Sequence, residues 1–226
     1  MPRSKRYQQL KTLIDAKKLY TPAEAIELAK KTAKIRFDAS IEVHCRLGID
    51  PKKGDQQVRA VVVMPHAAGK VKKIAAFVGD KDAKAAKEAG ADIVGGDDLI
   101  AEIKKNSKIN FDVAIATPEM MKNMAQVAKI LGPKGLMPSP KNETITTNVA
   151  KTILEIKKGK VSFKNDDTSN VHQTIGKVSL ETEKLLENFE AFMTALRRTK
   201  PASSKGIFIR GVVICSTMGP AVKVQI

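Results

Sequence analysis

Apolar and polar residues alternate with period two over residues 41–47. Ile41, Val43, Cys45 and Leu47 take one face and Glu42, His44 and Arg46 the other, which predicts a strand with one buried and one wet side. A second strand follows over 58–64, after the turn DPKKGDQQ. Ahead of both, a basic helix runs to about Asp15. Another helix starts at Thr21, where Thr21 can cap, Pro22 fits the first helical position and Glu24 completes a capping box. Ile26, Leu28, Ala29 and Ala33 supply its apolar face.

From residue 70 to 157 the rhythm changes. Apolar runs at 71–78, 91–94 and 111–117 each precede a helical stretch. The first helix ends near Gly90, a suitable C-terminal cap. The second carries Leu99 and Ile103 behind Asp97 and Asp98 at its start. The third opens at Pro118 and presents Met121, Met124, Val127 and Ile130 as core filling. A loop over 132–141 and a helix near 148–157 follow. The alternation predicts a small parallel sheet flanked by helices. After residue 158 the first pattern returns. Residues 160–166 and 170–179 read as paired strands. Residues 181–198 form an amphipathic helix with Leu185, Leu186, Phe189, Phe192, Met193 and Leu196 inward. Two strands, 206–215 and 221–226, are joined by STMGP.

The expected fold is therefore an α+β two-layer domain formed by both chain ends, residues 1–65 and 159–226, with an inserted α/β domain, residues 66–158. The crossings at Pro65 and Gly159 read as a double hinge.

Charge sharpens this division. The 226 residues carry 40 Lys and Arg against 24 Asp and Glu, a net charge of +16. Residues 66–158 hold 16 basic and 11 acidic residues, net +5, and the flanks hold 24 and 13, net +11. Such a surplus attracts polyanions, and it places the main polyanion surface on the outer domain. No apolar run reaches the ~18 residues that span a bilayer, and the first residues lack a signal-peptide core. A cytoplasmic protein with no membrane partner is expected. Cys45 and Cys215 sit in strand-like runs and read as small, reduced core residues. Three His and two Cys without close spacing give no zinc constellation.

Enzyme readings find little support. After the run at 71–78 the chain reads GDKDAKAA, whose acids would repel a pyrophosphate that G-x-G-x-x-G would cradle. The loop GPKGLMPSPK lacks G-x-x-x-x-G-K-[ST] and follows a helix. Asp97-Asp98 and Asp166-Asp167 are adjacent pairs whose side chains diverge. His44, His66 and His172 lie in separate elements. No catalytic residue, cofactor or metal is assigned.

Three stretches suit RNA. In KIRFDASIEVH, residues 34–44, Lys34 and Arg36 are cationic and Phe37 stands at a polar junction, where its ring can stack on RNA or plug the core. Glu42 is either a solvated strand residue or an acceptor for a 2′-hydroxyl. Residues 163–179 contain a turn dense in Asn, Asp, Thr and Ser, which also suits a plain hairpin. In STMGP, Gly219 allows backbone geometry closed to other residues, Thr217 offers a hydroxyl and Met218 is an apolar tip.

TMGP after GVVICS, with RSKRY, YTPAEAIELAKKTAKIRFDASIEVHCRLGIDPKKGDQQVR, VVVMPHAAGK, EAGADIVGGDDLI, FDVAIATPEMM and LGPKGLMPSPK, closely resembles the large-subunit ribosomal protein L1 family, bacterial type, in collinear order from about residue 3 to 226. The resemblance implies a discontinuous RNA-binding domain with a Rossmann-like insertion. It implies binding to 23S rRNA in the mobile stalk beside the E site of the large ribosomal subunit, help in releasing deacylated E-site tRNA, and repression of the protein's own operon mRNA. The free protein would be a monomer. By the same resemblance Arg36, Phe37, Ser40 and Glu42 belong to a first RNA-contact segment, Asp166 and Thr168 to a second, and Thr217, Met218 and Gly219 to the loop that packs on RNA. Arg3, Lys5 and Arg6 reach phosphates. Two departures stand out: Asp167 and Ser169 replace the Lys and Gly common in the family, and Ser139 stands where Asn is frequent.

Overall fold

The computed structural model describes residues 4–66, 69, 72–106 and 109–225. Arg3, one of the expected phosphate contacts, lies outside the described residues. Cα packing divides the chain into two compact units, Met1–Gly69 with Val161–Ile226, and Lys70–Lys160.

The first unit contains helices α1 (Lys5–Lys11) and α2 (Pro22–Thr32) and strands β1 (Ser40–Leu47) and β2 (Arg59–Val63) from the N-terminal flank. The second unit follows with β3 (Ile74–Phe77), α3 (Asp80–Glu88), β4 (Ile93–Gly95), α4 (Asp97–Asn106), β5 (Val113–Ala116), α5 (Met121–Met124), α6 (Ala128–Leu131) and α7 (Val149–Lys157). The chain then returns to the first unit through β6 (Lys160–Lys164), β7 (Asn170–Lys177), α8 (Thr182–Arg198), β8 (Ile209–Ser216) and β9 (Val222–Val224).

Local chemistry sets the helix starts. The Thr21 side chain accepts from the Glu24 amide, and the Glu24 carboxylate accepts from the Thr21 amide, so α2 opens on a complete capping box with Pro22 in its first turn. In the first unit, an antiparallel sheet runs β7-β1-β8-β9. Ile41, Val43, Cys45 and Leu47 of β1 are buried, with Val212, Ile214 and Val222 beside them. Helix α2 covers β8 and β9, and α8 covers β7 and β2. Ala25, Ile26 and Ala29 from α2 and Leu185, Phe189, Phe192, Met193 and Leu196 from α8 complete this core. A buried side chain of the Phe192 kind contributes about 1.5–3 kcal/mol.

Strands 160–164 and 170–177 do not pair with each other as the sequence suggests. β6 pairs with β2 in a separate two-stranded ladder, and β7 pairs with the far edge of β1. The two segments meet just beyond β6, through the bridge Asn165↔Val171 and the hydrogen bond from the Asp166 amide to the Asn170 carbonyl (2.8 Å). The reason is that β1 is a central strand, whose second edge needs a partner with buried Val171 and Ile175 on its inner face. β1 and β7 slip register between Ile41 and Glu42, a bulge that leaves the Ile175 carbonyl to another partner. Asn188, fully buried on α8, donates to that carbonyl at 2.8 Å. The same Asn188 amide accepts from the His66 N–H (3.0 Å) and donates to the His66 carbonyl (3.1 Å). His66 is thereby clamped to the first unit, and the crossing lies beyond Pro65. Gly159, with φ 110, ends α7, and Lys160 beside it is buried against Glu143 and Glu155.

The second unit has three layers. Its parallel sheet runs β4-β3-β5. Ile74 and Ala76 pack with Ala86, Ile153 and Ile156 on one side, and Ala75 and Phe77 pack with Ile100, Ile103, Met124 and Leu131 on the other. Both faces are covered, as parallel sheets require. The helix expected from Pro118 onward is broken: a 3-10 turn, Ala125–Val127, separates α5 from α6. In a 3-10 turn residues three apart eclipse, so Met124 and Val127 both reach the core and Leu131, rather than Ile130, follows them.

Candidate nucleic-acid interface

The residues expected to meet RNA gather mostly at one end of the four-stranded sheet. Ser40 opens β1 and Ser216 closes β8, so the chain just before β1 and the turn just after β8 emerge side by side. Thr217 joins them: its amide donates to the Ser40 carbonyl (2.9 Å), and its hydroxyl lies 3.2 Å from both the Ser40 amide and that carbonyl. Arg6 of α1 reaches the same place. Its guanidinium donates to the Lys34 carbonyl at 2.9 Å and to the Met218 carbonyl at 3.4 Å. Arg6 therefore works first as a clasp between three chain segments, with two of its donors spent on backbone. Lys5, Lys34 and Arg36 are exposed around it. Lys177, which carried no signal in the sequence, donates to the Ser40 hydroxyl (2.9 Å) and the Asp38 carbonyl (3.3 Å). Its pairing with Ser40 depends on the β1–β7 register, which is invisible in either strand alone.

Two large apolar side chains are left outside at this end. Phe37 is 57% exposed and Met218 is 66% exposed. Phe37 does not plug the core. Met218 tips a four-residue turn closed by the Gly219 N–H on the Ser216 carbonyl (2.8 Å). It holds φ 65, the left-handed conformation a type II turn needs at its third position and one that costs a residue with a Cβ about 1–2 kcal/mol. Gly219 is not the left-handed residue, contrary to the expectation from sequence. It is a glycine for space: a Cβ there would lie 2.2 Å from the Ser216 hydroxyl. That hydroxyl is buried without a hydrogen-bond partner. Ser216→Ala is accordingly expected to stabilise the protein by about 1 kcal/mol. Gly219→Ala should lower the melting temperature, and adding Ser216→Ala should restore part of the loss. Calorimetric melting of the three variants checks both expectations.

The second contact segment lies at the other end of β1. Asn170 pairs with Arg46, six residues from Ser40, or ~20 Å along the strand. Here Asp166 organises its own turn. Its carboxylate accepts from the amides of Thr168 (2.9 Å) and Asn170 (2.6 Å), from the Thr168 hydroxyl (2.7 Å) and from His172 Nε2 (3.4 Å). Burial pushes this carboxyl up, but those bonds outweigh it and hold the group well below the ordinary carboxylate range. Asp166 and Thr168 spend much of their bonding capacity internally. Ser169 takes φ 66, a left-handed conformation that glycine would adopt without strain, and its hydroxyl bonds the Ile49 carbonyl (3.0 Å).

Between the two ends, the outer face of the sheet carries a cluster that neither spacing nor composition announced. Cys215 lies opposite Glu42, half-buried on the outer face, because Ile214 and Ser216 take the inner positions. It is not a core residue; only Cys45 is. Glu42, His44 and Cys215 place their ligand atoms within 4.8 Å of one another, a proximity that the spacing of His and Cys along the sequence does not reveal. The thiol of Cys215 is pushed up to about 11 by burial and then by the Glu42 carboxylate. His44 falls below its usual value through burial first and His172 second, with Glu42 opposing.

One comparison with known proteins bears on all of this. A family model described as the ribosomal protein L1p/L10e family matches residues 29–220. The matched span contains Phe37, Ser40, Glu42, Asp166, Thr168 and the Thr217–Gly219 turn, and leaves Lys5 and Arg6 outside.

Proposed function

Since the chain belongs to the ribosomal protein L1p/L10e family, and so is a large-subunit ribosomal protein that binds rRNA, we propose that the Phe37–Met218 end of its sheet is the docking surface for that RNA. The observation that carries this reading is the pair of exposed apolar side chains, Phe37 and Met218, framed by Arg6, Lys34, Arg36 and Lys177. Flat bases and sugars can pack on the apolar pair, while the cations neutralise phosphates and release counterions. Ser40, Glu42 and Thr217 offer groups suited to 2′-hydroxyls. The bound RNA is the 23S stalk region of a bacterial-type subunit, with deacylated E-site tRNA as a neighbour whose release the stalk assists. The same surface takes an mRNA copy of the site and so represses the protein's own operon. The free protein is a cytoplasmic monomer, and no chemical step is assigned to it. The segment around Asp166 and Thr168 adds a second, more rigid contact.

Met218→Ala is expected to weaken binding of a 23S stalk fragment by ~1–3 kcal/mol, as stacking losses do, while leaving the melting temperature nearly unchanged, since the side chain is exposed. Binding of wild type should also fall steeply with salt. Filter-binding titrations at two ionic strengths measure both. Equal affinity of Met218→Ala and wild type would remove the turn from the site. Cosedimentation with large ribosomal subunits separates the ribosomal role from regulation alone.

A further inference from the structure

We propose that Glu42, His44 and Cys215 form a site for one zinc-class transition-metal ion on the outer face of the sheet. His44 Nε2 lies 3.1 Å from Cys215 Sγ and 3.9 Å from Glu42 Oε2. All three donors fall within 4.8 Å of one another. A tetrahedral zinc with bonds of about 2.0–2.3 Å places neighbouring donors about 3.3–3.8 Å apart, so the triad needs only small side-chain adjustments to close on the ion. The donor set is a thiolate, an imidazole and a carboxylate. Magnesium and calcium want oxygen alone, whereas this mixture suits zinc, cobalt and their neighbours. Three protein ligands leave a fourth place for water.

The second argument is how His44 is held. Its Nδ1 is 2.7 Å from Nδ1 of His172, whose Nε2 is 3.4 Å from Asp166 Oδ2. One tautomer assignment satisfies the whole chain. Asp166, held ionised by its turn, accepts from His172 Nε2–H. The bare His172 Nδ1 accepts from His44 Nδ1–H. His44 Nε2 is then left as a lone pair directed at Cys215 and Glu42. Tying down the other ring N–H in this way fixes the tautomer and orientation of a metal-binding imidazole. All four residues outside the Asp166 turn stand on paired strands, Glu42 and His44 on β1, His172 on β7 and Cys215 on β8, so the register itself preorganises the site. On loading, the Cys215 thiol gives its proton to solvent, and the ion's two positive charges balance the thiolate and the carboxylate. A negative charge two residues from Ser40 is thus cancelled, a consequence for RNA that rests on the reading above.

The test uses the metal-free, full-length protein and no RNA, so its failure is distinct from failure of the RNA reading. Titration calorimetry with zinc should show one equivalent per chain. Cobalt(II) should give a thiolate-to-metal charge-transfer band. The band should vanish in Cys215→Ser and persist in Cys45→Ser, and uptake should be lost in His44→Ala. His172→Asn keeps all three ligands and should weaken affinity ~10–100-fold. Circular dichroism melts identify variants that remain folded. Absence of stoichiometric uptake by folded wild type, or a charge-transfer band that survives Cys215→Ser, overturns the site.

Discussion

Asn188→Ala should destabilise the protein by about 3–4 kcal/mol, because one buried amide satisfies three backbone groups and each one orphaned away from water costs about 1–3 kcal/mol. The three are the Ile175 carbonyl freed by the bulge and the amide and carbonyl of His66. The Ile175 carbonyl is the costly one, since it lies in the core beneath α8 with no water to replace the bond; the His66 groups lie nearer solvent and lose less. Asn188→Asp keeps the acceptor for His66 N–H but turns both carbonyls toward a carboxylate, so it should be no better than Ala. Asn188→Leu should fare no better, although it fills the same space, because volume is not what Asn188 supplies. Chemical unfolding followed by circular dichroism measures the three. If Asn188→Leu matched wild type, Asn188 would be a packing residue and the clamp on His66 would be irrelevant to stability.

Asn188 also shows where sequence reading stops. It sits at an inward position of α8, three residues after Leu185 and one before Phe189. A polar residue on an apolar stripe is a visible signal, yet its partners are a bulge on β7 and a segment 122 residues away. Elements whose cause is local were legible. The Thr21–Glu24 box and the alternation of β1 both follow from neighbours in sequence. Strand partners were not, because alternation says which face of β6 or β7 is buried and nothing about which strand lies alongside. Val213 and Cys215 continue an apolar run, which hid the fact that they face outward.

The candidate site was legible as residue types and only partly as geometry. Phe37 carried two readings in the sequence, and exposure decides between them. Glycine drew attention at the turn after β8, but the left-handed residue is Met218, and Gly219 answers to the Ser216 hydroxyl. The metal-binding triad was invisible for a simple reason. Two ligands sit two residues apart on β1, but the third is 171 residues from His44 and reaches it only through the β1–β8 register.

The second large effect belongs to the Asp166 turn. Asp166→Ala should cost about 2–3 kcal/mol near neutral pH, since hydrogen bonds to a charged acceptor are worth more than neutral ones and this carboxylate receives several. Partial solvent exposure of the carboxylate keeps the figure from being larger. The loss should depend on pH in a defined direction. The folded state holds the Asp166 carboxyl well below its ordinary value of 3.8. The unfolded chain therefore takes up a proton first as acid is added. The stabilisation is complete above about pH 4, shrinks as pH falls below that value, and is gone once the folded carboxyl itself protonates. Glu24, Glu155 and Glu181 are also depressed, so wild type weakens in acid for several reasons, but these act equally in Asp166→Ala and cancel in the difference. Urea unfolding of both proteins across pH 2.5 to 7, roughly the window set by ordinary carboxyl values, should show a constant gap at the upper end that narrows in acid. A gap that stayed constant down to the lowest pH would mean that Asp166 stabilises its turn by shape alone, and that its charge contributes nothing.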